Sequence, residues 1–132
     1  MDNKTVHLAD DDEDDRILMK EALQEAHPDI NIVESENGKE LIENMKDADD
    51  LSETVVVVDM NMPKMNGLEA VEAIKSDPEL SDVPTVMLST SDSPELIRQA
   101  YDAGADDFIT KPNSFMALID IAKRIFRKFF SL

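Results

Sequence analysis

The feature that most constrains the fold of this chain is a regular alternation of short apolar runs with longer amphipathic stretches. Five short runs rich in aliphatic and β-branched residues predict strands at residues 5–9, 30–33, 54–58, 85–88 and 107–110. Apolar residues at helical spacing predict helices at residues 14–26, 38–45, 66–74, 93–103 and 114–130. Strands that alternate with helices indicate βαβ units, and therefore an α/β fold with a mostly parallel sheet.

The strongest strand signal is the run from Val55 to Val58, because all four of its residues are β-branched. Such a run suits a central strand that is covered on both faces. Right-handed crossovers then give a doubly wound, five-stranded parallel sheet with helices on both faces. Its common strand order is 2-1-3-4-5, and binding sites in such sheets lie at the carboxyl ends of the strands.

Length and composition narrow the classes of function. The 132 residues suit one domain, which we predict to span residues 1–132. The 30 acidic and 13 basic residues give a formal net charge of −17, which argues against binding to nucleic acid or to an anionic membrane. Because cysteine is absent, disulfides, thiolate zinc sites and cysteine nucleophiles are excluded. No signal peptide or membrane-spanning run is visible, so we expect a cytoplasmic protein.

Acidic side chains stand where neighbouring strands of the predicted sheet end. Asp10 and Asp11 follow the first strand, and Asp59 follows the third. Two carboxylates about 4 Å apart repel each other by about 4 kcal/mol at an effective dielectric constant of about 20, so such a group does not form for stability. A divalent cation offsets the repulsion, and oxygen ligands without His or Cys select Mg²⁺, Mn²⁺ or Ca²⁺.

The ends of the fourth and fifth strands supply groups that suit a phosphoryl group. Lys111 follows the fifth strand and can bind a phosphoryl oxygen, while Ser89 or Thr90 at the end of the fourth strand offers a hydroxyl donor. A nucleophilic aspartate, a divalent cation and a lysine are what phosphoryl transfer to a carboxylate requires.

Together these residues form motifs that resemble the receiver domain of two-component response regulators. The motifs are Asp10-Asp11, the segment DMNMPKMNG at residues 59–67, Ser89-Thr90 and Thr110-Lys111-Pro112. The resemblance covers nearly the whole chain and implies a fold like that of the chemotaxis regulators. Residues 89–92 and 101–105 further resemble the stand-alone regulators associated with phytochromes.

The resemblance implies roles in phosphoryl and metal binding. Asp59 would be the phosphoacceptor, and Ser89 and Lys111 would contact the phosphoryl group. Four residues would bind Mg²⁺, namely Asp10, Asp11, Asp59 and, through its backbone carbonyl, Asn61.

Further roles that the resemblance implies concern the response and the backbone. Ser89 and Phe108 would be the switch residues. Gly67 would occupy a loop position with positive φ, which glycine adopts readily. Pro112 would follow a cis peptide bond, a form found in only about 5–6% of X–Pro bonds.

The implied function is that of a stand-alone response regulator in phosphorelay signal transduction, not of an enzyme acting on a separate substrate. A histidine kinase or a histidine phosphotransfer protein would phosphorylate Asp59 with Mg²⁺. We expect no output domain beyond Leu132, and therefore a separate downstream effector protein that receives the signal.

The predicted last helix carries more apolar surface than a core-facing stripe needs, which suggests a partner. Two apolar faces contribute to this surface: Leu118, Ile121, Ile125 and Phe129 on one, and Phe115, Ile119, Phe126 and Phe130 on the other. We predict that the last helix, with the strand and helix before it, forms a homodimer or docking surface.

Alternatives remain both for the acid-rich segment at residues 10–15 and for the function of the whole chain. A calcium loop starting at Asp10 would need glycine at its sixth position, which is Asp15. A haloacid-dehalogenase-type phosphatase would need a second acid where Asn61 stands, and a flavodoxin-type site would suffer from six acids repelling its phosphate. A phosphorylation-independent interaction module is the fourth alternative. For residues 12–15 we expect only solvation of the loop and a favourable charge at the helix N-terminus.

Overall fold

The computed structural model describes residues 4–132 and contains the alternating strands and helices that the sequence predicts. No predicted boundary differs from the observed one by more than two residues. None of these helices, within the described part of the chain, has the length and apolar content needed to cross a bilayer. The elements in chain order are β1 (Thr5–Ala9), α1 (Glu13–Ala26), β2 (Asn31–Ser35), α2 (Gly38–Asp47), β3 (Thr54–Asp59), α3 (Gly67–Ser76), β4 (Thr85–Ser89), α4 (Pro94–Ala103), β5 (Asp107–Thr110) and α5 (Phe115–Phe130).

The strands form one parallel sheet in the order β2-β1-β3-β4-β5, which confirms the predicted topology. Its register decides which strand ends meet. Ala9 pairs with Val58, so Asp10 and Asp59 follow directly at the same level of two neighbouring strands. Ser89 pairs with Thr110, which places Lys111 beyond the end of β4 at the same edge of the sheet.

Helices cover both faces of the sheet, and β3 divides its side chains between them. Val55 and Val57 face a core shared with α1 and α5. Val56 and Val58 face the core on the other side, which is shared with α2, α3 and α4. All six residues of β3 are buried, as expected for a β-branched central strand.

Local side-chain contacts fix where the helices begin. In each helix the residue before the first turn accepts a hydrogen bond from a backbone N–H of that turn, a cap that contributes about 1 kcal/mol. The caps therefore fix the paths of the loops that lead from each strand to the next helix, at the carboxyl edge of the sheet. The five capping residues are Asp12, Asn37, Asn66, Ser93 and Ser114.

The prediction of a cis peptide bond before Pro112 is wrong, because no cis peptide bond occurs within residues 4–132. The Lys111–Pro112 bond therefore has the trans form, which X–Pro amides favour by about 0.5–1 kcal/mol.

The prediction of a positive φ at Gly67 is also wrong. The positive φ angles of this loop lie instead at Lys64, with 56°, and at Met65, with 122°. Glycine is needed at position 67 because the backbone there packs closely against Asp59 and Met87. A Cβ atom would lie 2.6 Å from the carbonyl oxygen of Asp59 and 2.8 Å from Sδ of Met87.

The wide apolar surface of α5 is used largely within the monomer. Phe126 is 3% exposed, and its ring meets the ring of His27 edge-on at 5.9 Å and stacks on that of Phe130 at 5.8 Å. The half-buried apolar residues of the helix pack against the core shared with α1. Packing thus accounts for most of the surface on which the homodimer prediction rested, although Phe115 is exposed, and the homodimer stays a prediction.

Candidate functional site

The carboxyl edge of the sheet brings three of the predicted metal ligands together. One carboxylate oxygen from each of Asp10, Asp11 and Asp59 lies within 4.8 Å of the others. Asp10 and Asp59 are buried, whereas Asp11 is exposed. Three carboxylates without a His or Cys ligand suit a hard divalent cation such as Mg²⁺, which prefers oxygen and keeps several of its waters.

Lys111 is the cation within this group of acids. Its Nζ lies 3.1 Å from Oδ2 of Asp10 and 3.1 Å from Oδ1 of Asp59. Its backbone N–H donates to the carbonyl of Ser89 at 2.8 Å, which fixes the start of the β5–α5 loop. One ammonium therefore faces several carboxylates, and the site keeps an excess of negative charge.

The pKa values reflect this excess. Burial raises the pKa of Asp59 to about 6, and repulsion from Asp10 adds to the rise, while Lys111 opposes it. Burial likewise raises the pKa of Asp10. Burial opposes the charge of Lys111, but the carboxylates of Asp10 and Asp59 outweigh it and raise the lysine pKa. A divalent cation bound among the acids would favour their ionised forms.

Arg16 is a residue of this region that sequence reasoning missed. Its Nη1 donates to the backbone carbonyl of Asp10 at 2.8 Å, and its Nε donates to Oε1 of Glu34 on β2 at 3.2 Å. The backbone N–H of Asp12 also donates to Oδ1 of Asp10 at 3.0 Å. These bonds hold the loop after β1. The sequence feature that could have indicated this role is that Arg16 is the sole basic residue among residues 10–19.

Asp15 has a contact beyond the solvating role predicted for it. Its Oδ2 lies 3.3 Å from Nζ of Lys111, while its backbone N–H donates to the capping carboxylate of Asp12 at 3.0 Å. Lys111 is thus bound by three carboxylates, including one from the first turn of α1.

Among residues 4–132, no hydrogen bond is seen between the acids and the side chains of the other predicted site residues, Ser89, Asn61 and Phe108. The Oγ of Ser89, which is buried, accepts a hydrogen bond from the backbone N–H of Ser91 at 3.1 Å. Asn61 is exposed in the loop two residues after Asp59. The ring of Phe108 is buried in the core on the side of α2, α3 and α4. Their roles in metal binding and switching stay predictions.

A cavity of about 250 Å³ opens beside the acids, between the start of α1 and the β5–α5 loop. Asp10, Asp15 and Lys111 line its polar side. The remainder of its wall is mostly apolar and includes Leu18 and Phe115. A molecule approaching Lys111 through this cavity therefore meets both charge and apolar surface.

Comparison with known proteins agrees with this geometry. Residues 6–123 match the family described as response regulator receiver domain. The chemotaxis protein CheY homologue of Campylobacter jejuni is 30% identical over 105 residues, which cover 80% of this chain and 78% of that protein. A protein-glutamate methylesterase/protein-glutamine glutaminase of Methanococcoides burtonii is 36% identical over 121 residues, or 87% of this chain, but the match spans only 33% of that protein.

A solved structure shows the same architecture. The phosphorylated cyanobacterial phytochrome response regulator RcpA aligns with a TM-score of 0.84 at 30% identity, over 98% of this chain and 96% of that one. Both the predicted fold and the predicted resemblance are thereby confirmed. The chain belongs to the response regulator receiver domain family and is a receiver of two-component signalling.

Proposed function

We propose that Asp59 accepts a phosphoryl group from the phosphohistidine of a histidine kinase or a histidine phosphotransfer protein. The observation that carries the proposal is the position of Asp59, which is buried beside both the Asp10–Asp11 pair and the Lys111 ammonium. Phosphoryl acceptance is general to the family to which the chain belongs. With a pKa of about 6, Asp59 is mostly ionised at neutral pH and can act as a nucleophile.

In the proposed transfer, a carboxylate oxygen of Asp59 attacks the phosphorus. A P–O bond forms while the P–N bond to the donor imidazole breaks, and the electron pair of that bond stays on the nitrogen. Lys111 is close enough to bind an oxygen of the transferred group, because its Nζ is 3.1 Å from Oδ1 of Asp59. The Ser89 hydroxyl accepts from Ser91, so its own proton is available to a second phosphoryl oxygen.

Asp10, Asp11 and Asp59, with the backbone carbonyl of Asn61, would hold Mg²⁺. When bound, the cation neutralises charge on the phosphoryl oxygens and on the acids. The grouping of three carboxylate oxygens within 4.8 Å supports the three acidic ligands. The assignment of Asn61 rests on its place two residues after Asp59.

We propose that the response begins at Ser89 and Phe108. Phosphorylation adds a charge of about −1.5 to −2, which can draw the Ser89 hydroxyl toward Asp59. That movement would break its bond to the N–H of Ser91, at the start of the loop that leads to the Ser93 cap of α4. The surface of α4, β5 and α5 would then shift its conformational equilibrium, and a downstream effector protein would recognise it.

Exposed apolar side chains next to the site suggest where the phosphodonor binds. Ile17 and Leu18 on α1 are 42% and 43% exposed, while Phe115 and Met116 on α5 are 38% and 71% exposed. They lie on the two elements that border the cavity beside Lys111. Such a patch next to a polar site suits a helical partner that places its phosphohistidine over Asp59.

Intact-protein mass spectrometry after incubation with acetyl phosphate and Mg²⁺ tests the proposal. We expect wild-type protein to gain the mass of one phosphoryl group and Asp59→Asn to gain none. Asp102→Asn, which changes an exposed acid on α4, is the matched control and should be labelled normally. Labelling of Asp59→Asn at the wild-type level would refute the acceptor assignment.

A further inference from the structure

The ammonium of Lys111 binds one carboxylate that the proposed transfer does not use. Asp15 lies 3.3 Å from Nζ of Lys111, in addition to Asp10 and Asp59 at 3.1 Å each. An ammonium has three N–H donors, so the three carboxylates can occupy all of them. A phosphoryl oxygen can therefore bind Lys111 only if one of these carboxylates gives up its place.

Asp15 is the carboxylate that continues to compete with the phosphoryl group for the Lys111 ammonium during the transfer. Asp59 becomes the acceptor, and Asp10 belongs to the group of acids that suits a cation. Asp15 lies outside that group, so neither bond formation nor a cation removes its charge from Lys111. Its attraction for the ammonium therefore opposes that of the incoming phosphoryl group.

The helix, and not Lys111 alone, holds Asp15 in this position. Its backbone N–H is bound to the side chain of Asp12, which fixes Asp15 in the first turn of α1. Its side chain is 50% exposed, compared with 15% for Lys111, and it lines the cavity that opens beside the acids. A dissolved anion that enters through this cavity passes a fixed negative charge.

We propose that Asp15 is a positioning residue for Lys111 that makes this receiver slow toward small anionic phosphodonors. It draws the ammonium toward the rim of the cavity and repels an anion that enters there. A protein donor can offset this repulsion through contacts with the exposed apolar side chains of α1 and α5. The inference rests on the proposed function, since Asp59 must be the acceptor.

The test compares Asp15→Asn with Asp14→Asn. The second substitution removes the same charge from the same helical turn, but in the described part of the chain Asp14 shows no contact with Lys111. With acetyl phosphate and Mg²⁺, we expect Asp15→Asn to be labelled about 3- to 10-fold faster than wild type, and Asp14→Asn less than about twofold faster. The acetyl phosphate concentration for half-maximal rate should fall in Asp15→Asn, and the rate increase should shrink at high salt. Phosphoramidate, a less negatively charged donor, should show a smaller increase, and Asp15→Glu should restore the slow rate.

An unchanged or lower rate in Asp15→Asn, or an equal rise in Asp14→Asn, would overturn the inference. If wild-type protein were not labelled at all, the proposed function would be contradicted instead. In that case, binding of inorganic phosphate in the presence of Mg²⁺, followed by NMR titration, decides the role of Asp15. Tighter binding by Asp15→Asn than by Asp14→Asn would support the competition for Lys111, and equal affinities would refute it.

Discussion

At the amino edge of the sheet, Asp107 is 2% exposed, and its carboxylate accepts two bonds from Arg124, each of 3.0 Å. Lys128 lies 3.5 Å away, and the backbone N–H of Phe108 donates a further bond of 2.9 Å. At the carboxyl edge, Asp59 is buried to a similar degree but shares Lys111 with two other carboxylates. The buried carboxylate at the amino edge is compensated, which means that nearby basic side chains balance its charge. At the carboxyl edge the carboxylates outnumber the one ammonium, so excess negative charge remains.

This difference distinguishes acids whose charge is balanced within the fold from the acids that we propose bind a cation and a phosphoryl group. Asp106, next to Asp107, is also compensated, since it accepts from Lys75 at 2.9 Å and from the backbone N–H of Thr85 at 2.8 Å. Basic side chains therefore balance the acids at the amino edge of the sheet. We infer that the uncompensated charge at the carboxyl edge is kept for a cation and a phosphoryl group, which complete the site when they bind.

The largest expected effect comes from the compensated edge. Asp107→Asn should lower the free energy of unfolding by about 3 kcal/mol, because it removes the charge between Arg124 and Lys128 and weakens a buried acceptor. Urea denaturation measures the change. Asp102→Asn, at an exposed pair with Arg98, is the control and should have little effect. A small effect of Asp107→Asn would mean that compensation at this edge does not stabilise the fold.

The pH dependence of the two edges can be compared only after His7 is accounted for. Burial lowers the pKa of His7 to about 4, so the folded state binds fewer protons than the unfolded state between pH 6.5 and about 4. The neutral imidazole costs no stability above pH 6.5. As the pH falls, the unfolded state binds the proton more tightly, so His7 lowers the free energy of unfolding by about 2–3 kcal/mol at pH 4.

The His7→Leu variant should remove this loss. Within residues 4–132 the buried Nδ1 of His7 has no hydrogen-bond partner, so the substitution leaves no polar group unsatisfied there. The measurement is the difference in unfolding free energy between His7→Leu and wild type across this pH range. A difference that does not grow as the pH falls would show that His7 is not the group that titrates.

At the uncompensated edge, the substitution to asparagine should act in the opposite direction. The pKa of Asp59 is raised to about 6, so its ionised form is disfavoured in the folded protein without a metal. Asp59→Asn should therefore raise the free energy of unfolding by about 2 kcal/mol above pH 6, and this gain should disappear as the pH falls below about 4. Urea denaturation in the presence of a chelator tests the sign, and a loss of stability at pH 7 would contradict the comparison.

The smallest expected effect comes from adding the cation. At a Mg²⁺ concentration of about tenfold the dissociation constant, wild-type protein should gain about 1.4 kcal/mol of stability. Asp107→Asn should keep this gain, whereas Asp11→Asn should lose most of it because Asp11 belongs to the three-acid group. An equal gain in both variants, measured by thermal denaturation, would show that Mg²⁺ acts elsewhere.

Most of the fold was predictable because it depends on local patterns. The β-branched run at Val55–Val58 predicts a covered central strand, and the observed β3 is buried along its whole length. By contrast, the sequence predicts too much free apolar surface on α5, because a pattern cannot show that α1 also packs against that helix. The ring of Phe126 meets His27 at the end of α1, a contact that helical spacing does not reveal.

The sequence by itself determined which residues end the strands, and therefore that Asp10, Asp11, Asp59 and Lys111 gather at one edge of a parallel sheet. The side-chain period and the strand order carry that information. Only the tertiary structure decided that Asp15 reaches Lys111, 96 residues away, and that Arg16 holds the carbonyl of Asp10. Such contacts depend on how α1 and the β5–α5 loop pack together, and long-range packing leaves no local pattern in the chain.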